Sequence, residues 1–127
     1  MPVVEQYARA RIVTDTDDRE ERGAVRVTLR HDSEDPRNVR VGLPPGPGPR
    51  EWTFARSLLE QGLRAPVRSG PVRVWPCGRV QTVVEFHSRQ GCSLVQFETK
   101  ALTRFLGRTR LAAAAVTEAT PADPVPG

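Results

Sequence analysis

The fold of this chain is decided by the stretch from Glu51 to Pro76, which reads EWTFARSLLEQGLRAPVRSGPVRVWP. Its first part places Trp52 and Phe54 on alternate positions, as a short strand does. The segment ARSLLEQGL that follows has its leucines spaced for one helix face and a glycine near its end. The closing segment VRVWP alternates again, so the stretch predicts a strand, a short helix and a second strand.

The segments before this stretch predict three further strands. From Val3 to Val13 the even-numbered residues are mostly apolar, and the arginines and a tyrosine face the other way. The segment from Ala24 to Arg30 alternates most clearly, and Val39 to Leu43 predicts a shorter strand. The sequence HDSEDPRN between them has turn chemistry, and PPGPGP after them cannot pair in a sheet.

The segments after this stretch predict a hairpin and a second helix. Val80 to His87 and Ser93 to Glu98 read as two strands joined by a turn. Apolar residues from Ala101 to Leu106 then follow helical spacing. The predicted order is ββββα-βββα, an α+β domain of about seven antiparallel strands with two helices on one side. Residues 1–111 form this single domain, and the Ala- and Pro-rich residues 112–127 are predicted to be a disordered tail.

Composition and charge limit the classes of function. The chain has 127 residues, a net charge of +4 and a single lysine, Lys100. Because the chain is also rich in Ala and Pro, we attribute the arginine excess to a GC-rich genome more than to a nucleic-acid partner. No segment has the pattern of a signal peptide or a membrane span, which predicts a cytoplasmic protein without membrane insertion.

Residues with catalytic or metal-binding chemistry are few. There is no nucleophile motif, no HExxH and no phosphate-binding loop, so we expect no catalytic residue and no cofactor. The candidate metal ligands His31, His87, Cys77 and Cys92 lack the close spacing typical of zinc sites. The sequence therefore predicts no metal site and no enzyme.

The central stretch resembles the signature region of the SsgA-like family, the SsgA- and SsgB-type sporulation and cell-division proteins of actinomycetes. That family carries W-x-F-A-R-x-L-L-x-x-G-L followed by G-x-V-R-V-W-P. The matching residues here are Trp52, Phe54, Ala55, Arg56, Leu58, Leu59, Gly62, Leu63, Gly70, Val72, Arg73, Val74, Trp75 and Pro76. The turn from Leu29 to Pro36 and the helix from Ala101 extend the resemblance to residues 3–110.

The resemblance implies a whirly-like fold and a homotrimer held together by its helices. It implies a non-enzymatic adaptor or regulator of sporulation-specific cell division, acting in septum placement or septal cell-wall assembly through protein–protein contacts. The implied partners are other SsgA-like proteins, the tubulin-like division protein FtsZ or cell-wall machinery. The implied location is the cytoplasm, with recruitment to division septa. A single-stranded nucleic-acid-binding module is the alternative function.

Two groups of residues are candidates for binding. The candidates for an oligomer or partner interface are Trp52, Arg56, Leu58, Leu59, Trp75 and Phe105. Their types and spacing fit core packing or a fold-defining role as well as an interface. The candidates for a basic face are Arg9, Arg11, Arg26, Arg30 and Arg40. A nucleic-acid interface would also need aromatic residues for base stacking, and only Tyr7 lies near these arginines in the pattern.

Overall fold

A computed structural model describes residues 3–14, 24–45, 50–89 and 91–119 of the chain. These residues form two successive units of four strands and a helix. The first unit comprises β1 (Val3–Thr14), β2 (Val25–Asp32), β3 (Asn38–Gly42), β4 (Glu51–Ala55) and α1 (Arg56–Gly62). The second comprises β5 (Val67–Ser69), β6 (Val72–Cys77), β7 (Gln81–Ser88), β8 (Gly91–Glu98) and α2 (Thr99–Ala119).

The predicted α+β class is confirmed, with one strand more than the predicted order contains. The added strand is β5, which pairs with β6 through the register Val67↔Val74 and Ser69↔Val72. Gly70, in the turn between them, has a φ of 57°, which glycine adopts more readily than other residues. Only one residue of β5 is apolar, so this strand is too short to show an alternating pattern.

The described strands form one antiparallel sheet in the order β4-β3-β2-β1-β8-β7-β6-β5. The two units meet where β1 pairs with β8, for example at Ala10↔Phe97. The sheet is strongly curled. Trp52 of β4 stacks on Phe86 of β7 at a ring-centroid distance of 4.7 Å, although four strands lie between them. In a flat sheet these two positions would be about 24 Å apart, five strand spacings.

Alternation gives the curled sheet an apolar inner face and a polar outer face. The inner face carries fully buried residues from central strands, including Val27, Leu29, Val84 and Val95. Helix α1 packs against β3 to β6, and α2 packs against β1, β8 and β7. The helices contribute the buried residues Leu58, Leu59, Leu102, Phe105 and Leu106 to the core. The outer face of β1 to β3 carries the predicted arginines.

The predicted turn between β2 and β3 forms as its side chains suggest. The backbone N–H of Glu34 donates to Asp32 Oδ1 at 2.9 Å, and the Asn38 side-chain amide donates to Asp35 Oδ1 at 3.1 Å. His31 is buried at the start of the turn, where its Nε2 lies 3.0 Å from the carbonyl oxygen of Pro36. Asp32, Asp35 and His31 therefore hold the connection between two strands in place.

Helix α2 continues beyond the predicted end of the domain. Its backbone is helical to Ala119, whereas the sequence predicts a disordered tail from residue 112. Alanine has the highest intrinsic helix propensity, and residues 112–115 are all alanine, so the helix extends through them. The rest of the predicted tail, residues 120–127, lies outside the described part of the chain. Among the described residues, no helix is long and apolar enough to cross a membrane.

Candidate functional site

Three of the six interface candidates are buried in the hydrophobic core of the protein. The exposed fractions of Leu58, Leu59 and Phe105 are 4%, 1% and 0%. They fill the space between the helices and the inner face of the sheet, which leaves almost no surface for a partner. Trp52 is half-buried on the same face through its stacking on Phe86. The remaining candidates, Arg56 and Trp75, are half-buried as well.

Arg56 joins the two helices. Its guanidinium Nη1 donates to Thr109 Oγ1 at 3.5 Å, and its Nε lies 3.7 Å from Glu60 Oε2. The buried Thr109 hydroxyl in turn donates to the carbonyl oxygen of Leu106 at 2.7 Å. Arg110 of α2 also pairs with Glu60, at 3.2 Å. These contacts give the signature arginine a structural role between α1 and α2.

We expect Arg56→Ala to lower the free energy of unfolding by about 1 kcal/mol, because it removes a half-buried charged donor from Thr109. Urea denaturation followed by circular dichroism measures the change. The control is Arg110→Ala, which removes a far more exposed arginine from the same Glu60 and should cost at most about 0.5 kcal/mol. An equal cost for the two variants would contradict the helix-joining role of Arg56.

All five residues of the predicted basic face lie on the outer face of the sheet. Arg9 stands directly opposite Arg26 in the β1–β2 pairing, and Arg30 stands opposite Arg40 in the β2–β3 pairing. Arg11 is opposite Gln96 of β8. We call the surface formed by Arg9, Arg11, Arg26, Arg30 and Arg40 the arginine face. The strand register places these residues on one side of the sheet, and their role as a basic binding face stays a prediction.

The arginine face is unfavourable for the isolated sheet. Like charges directly opposite on neighbouring strands repel each other, and this occurs at both Arg9↔Arg26 and Arg30↔Arg40. One acidic residue, Glu5, lies opposite Arg30. Arg26 places its guanidinium 4.8 Å from the ring of Tyr7, which is 58% exposed. An exposed aromatic ring surrounded by arginine side chains is suited to contact an acidic binding partner.

The second part of the outer face, on β6 to β8, holds a side-chain cluster that sequence reasoning missed. The guanidinium of Arg73 lies 4.8 Å from the ring of Trp75 and 3.8 Å from Glu85 Oε1. Glu85 Oε2 also contacts His87 and Cys92. The signal was present in the sequence, since His87 and Cys92 flank the predicted hairpin turn. Only the register His87↔Cys92 shows that the two side chains are direct neighbours.

Comparison with known proteins identifies the family. Residues 25–118 match the family described as Streptomyces sporulation and cell division protein, SsgA, so the chain belongs to the SsgA family. SsgB of Streptomyces coelicolor, named as a sporulation-specific cell division protein, is 38% identical over 94 residues, covering 71% of this chain and 69% of that protein. SsgB of Frankia casuarinae is 36% identical over 90 residues, and the match covers 67% of this chain and 62% of that protein.

Solved structures share the same architecture. A structure of SsgB from Streptomyces coelicolor has a TM-score of 0.73 and 33% identity, covering 87% of this chain and 86% of that one. It is described with SsgB mutations that correlate to longitudinal cell division during sporulation. An SsgA-like sporulation-specific cell division protein from Thermobifida fusca YX-ER1 has a TM-score of 0.69 at 24% identity, covering 95% of this chain and 84% of that one. The second structure supports the fold alone.

Proposed function

We propose that this protein is a non-enzymatic adaptor in sporulation-specific cell division, acting in septum placement or septal cell-wall assembly through protein–protein contacts. The proposal rests first on family membership, because the relatives that cover most of the chain are named for sporulation-specific cell division. Its location would be the cytoplasm, with recruitment to the septum by a partner.

The arginine face is the observation that carries the adaptor mechanism. It lies on the side of the sheet that neither helix covers, and it places cations opposite one another at Arg9↔Arg26 and Arg30↔Arg40. A surface with charge of one sign attracts an oppositely charged partner and orients it during association. We therefore propose that an acidic surface of the division or cell-wall machinery docks on this face.

Charge reversal tests the proposed docking face. The double variant Arg26→Glu and Arg40→Glu, as a fluorescent fusion in sporulating Streptomyces hyphae, is expected to lose its septal signal because like charges would then face the acidic partner. Fluorescence microscopy measures the ratio of septal to diffuse signal. Circular dichroism of the purified variant checks that the sheet still forms.

A matched control reverses charge away from the arginine face. Arg79 follows the end of β6 and Arg104 lies on α2, and both are exposed. The double variant Arg79→Glu and Arg104→Glu therefore changes the net charge equally and should keep the septal signal. Septal signal that survives reversal of Arg26 and Arg40, or that is lost equally in the control, would remove the arginine face from the proposal. Absence of any septal signal in the unmodified protein would remove the adaptor function itself.

A binding assay with the same variants distinguishes the nucleic-acid alternative from the adaptor function. Phosphate contacts weaken steeply as salt rises, so binding to a labelled single strand would be strongest at low salt and lost on reversal of Arg26 and Arg40. Nothing in the names of the relatives points to nucleic acid. We therefore expect no binding at low salt, and pull-down from dividing cells is expected to retain proteins instead.

We also propose that the protein acts as a homotrimer. The resemblance to the family supports this state, in which the helices hold the protomers together. Helix α2 offers apolar surface for such a contact, since Leu111 is 72% exposed. Light scattering coupled to size-exclusion chromatography is expected to give three times the chain mass of 14.1 kDa. A monomeric mass across the micromolar range would contradict the trimer.

A further inference from the structure

The outer face of the β7–β8 hairpin brings together three side chains that can bind a metal ion. His87 and Cys92 are direct partners in the antiparallel register, and Glu85 lies two residues before His87 on the same face of β7. The atoms that could serve as ligands all lie within 4.8 Å of one another. They come from two neighbouring strands of a continuous sheet, which is a rigid support for a binding site.

Two of the three distances between these atoms are close to those around a tetrahedral zinc ion, and the third, between the His87 and Cys92 ligand atoms, is within 4.8 Å. Glu85 Oε2 lies 3.2 Å from His87 Nε2 and 3.0 Å from Cys92 Sγ, with the thiol donating to the carboxylate. Zinc binds nitrogen and oxygen at about 2.0–2.2 Å and thiolate sulfur at about 2.3 Å. Tetrahedral angles then separate neighbouring ligand atoms by about 3.3–3.6 Å. Two of the three ligand separations are therefore already near the required values, and side-chain rotation is needed to adjust the third.

We propose that Glu85 Oε2, His87 Nε2 and Cys92 Sγ form a zinc site, with the fourth position open to water. On binding, the Cys92 thiol releases its proton to solvent, so the ion is held by a thiolate, a carboxylate and a neutral imidazole. The two negative ligands balance the charge of Zn²⁺. A mixed S, N and O ligand set selects zinc over Mg²⁺ and Ca²⁺, which prefer oxygen ligands alone.

The surroundings of the site support the ligand geometry. Arg73 Nη1 lies 3.8 Å from Glu85 Oε1, the carboxylate oxygen that does not contact His87 or Cys92. Arg73 is itself positioned over the Trp75 ring at 4.8 Å. The Glu85 side chain is only 14% exposed, whereas that of His87 is 43% exposed. Arg73 thus orients a half-buried carboxylate, and the exposed imidazole leaves a path for the ion to enter.

Cobalt substitution gives a direct test. Co²⁺ added to the reduced, untagged protein is expected to produce thiolate-to-cobalt charge-transfer absorption and the visible bands of tetrahedral Co²⁺, saturating at one ion per chain. Added Zn²⁺ should abolish these bands by displacement, and it should raise the melting temperature because it binds the folded state. Since the site lies apart from the arginine face, neither result depends on the proposed function.

Matched variants assign the ligands. Cys92→Ser is expected to lose the charge-transfer band and to weaken Zn²⁺ binding by at least about 100-fold, beyond the loss usual for a residue that only orients a ligand. His87→Gln and Glu85→Gln should each weaken binding as well. The control is Cys77→Ser, which removes the other thiol, an exposed one opposite Gln81 rather than near His87. It should leave binding unchanged.

Three outcomes would overturn the zinc site. They are the absence of a charge-transfer band in the unmodified protein, its survival in Cys92→Ser, and its equal loss in Cys77→Ser. The variants are compared by circular dichroism before titration. His87→Gln changes an exposed side chain and Glu85→Gln keeps the size of the half-buried one, so at least one of them is expected to fold normally and to report on the ligand set.

Discussion

Replacing Phe86 by alanine is expected to lower the free energy of unfolding by about 3–5 kcal/mol. Phe86 is 1% exposed on the inner face of β7. Its ring stacks on Trp52 at 4.7 Å and contacts Phe54 at 6.0 Å, and both of these residues come from β4. The Phe86 side chain therefore holds the edge strand β4 against the far side of the curled sheet. Its removal leaves a cavity between β4 and β7.

The loss would be a large fraction of the total stability, since domains of this size unfold at a cost of about 5–15 kcal/mol. Urea denaturation followed by tryptophan fluorescence measures it, and Trp52 reports directly on the altered contact. Phe86→Leu, which keeps an apolar side chain, should cost less than Phe86→Ala because it leaves a smaller cavity. Val80→Ala, at a site 69% exposed, should stay within about 0.5 kcal/mol of the unmodified protein. A Phe86→Ala variant as stable as Val80→Ala would contradict the closing contact.

The sequence predicted local structure well because the relevant signals are local. Alternation in β1, β2 and β3 predicted both the strands and the side of the sheet on which each residue lies, including the five arginines. The helix spacing from Ala101 to Leu106 gave the core residues of α2. The curling of the sheet could not be predicted from the sequence, because the contact between Trp52 and Phe86 joins residues that no local pattern relates.

The candidate sites depended more on pairing than on pattern. Taken as a set, His31, His87, Cys77 and Cys92 lack the close spacing of a zinc motif, so the sequence predicts no metal site. The spacing does not show that the hairpin turn makes His87 and Cys92 direct neighbours and brings Glu85 beside them. The same limit applied to the signature stretch. Its residues identify the family, and Leu58 and Leu59, whose spacing fitted both core packing and an interface, lie buried in the core.

Gly62→Ala is the second variant expected to have a large effect. Gly62 is buried at the end of α1, where the helix crosses β6. A Cβ atom at this position would overlap the Val74 side chain and would lie 3.2 Å from the Val74 carbonyl carbon. Val74 is fully buried, and a β-branched side chain has little rotational freedom, so it cannot move aside. We expect α1 to shift from β6, at a cost of about 1–3 kcal/mol in unfolding free energy.

A second helical glycine gives the matched control. Gly107 lies within α2, and a Cβ atom there would meet nothing within 4 Å. Gly107→Ala should therefore stabilise the protein by about 0.5–1 kcal/mol through helix propensity. The same glycine-to-alanine substitution is thus expected to change the free energy of unfolding in opposite directions at the two positions. Adding Val74→Ala to Gly62→Ala should cost less than the sum of the two single changes, because it removes the atoms that the new methyl group strikes. Additive costs, or stabilisation by Gly62→Ala, would show that the helix and the strand do not depend on this close approach.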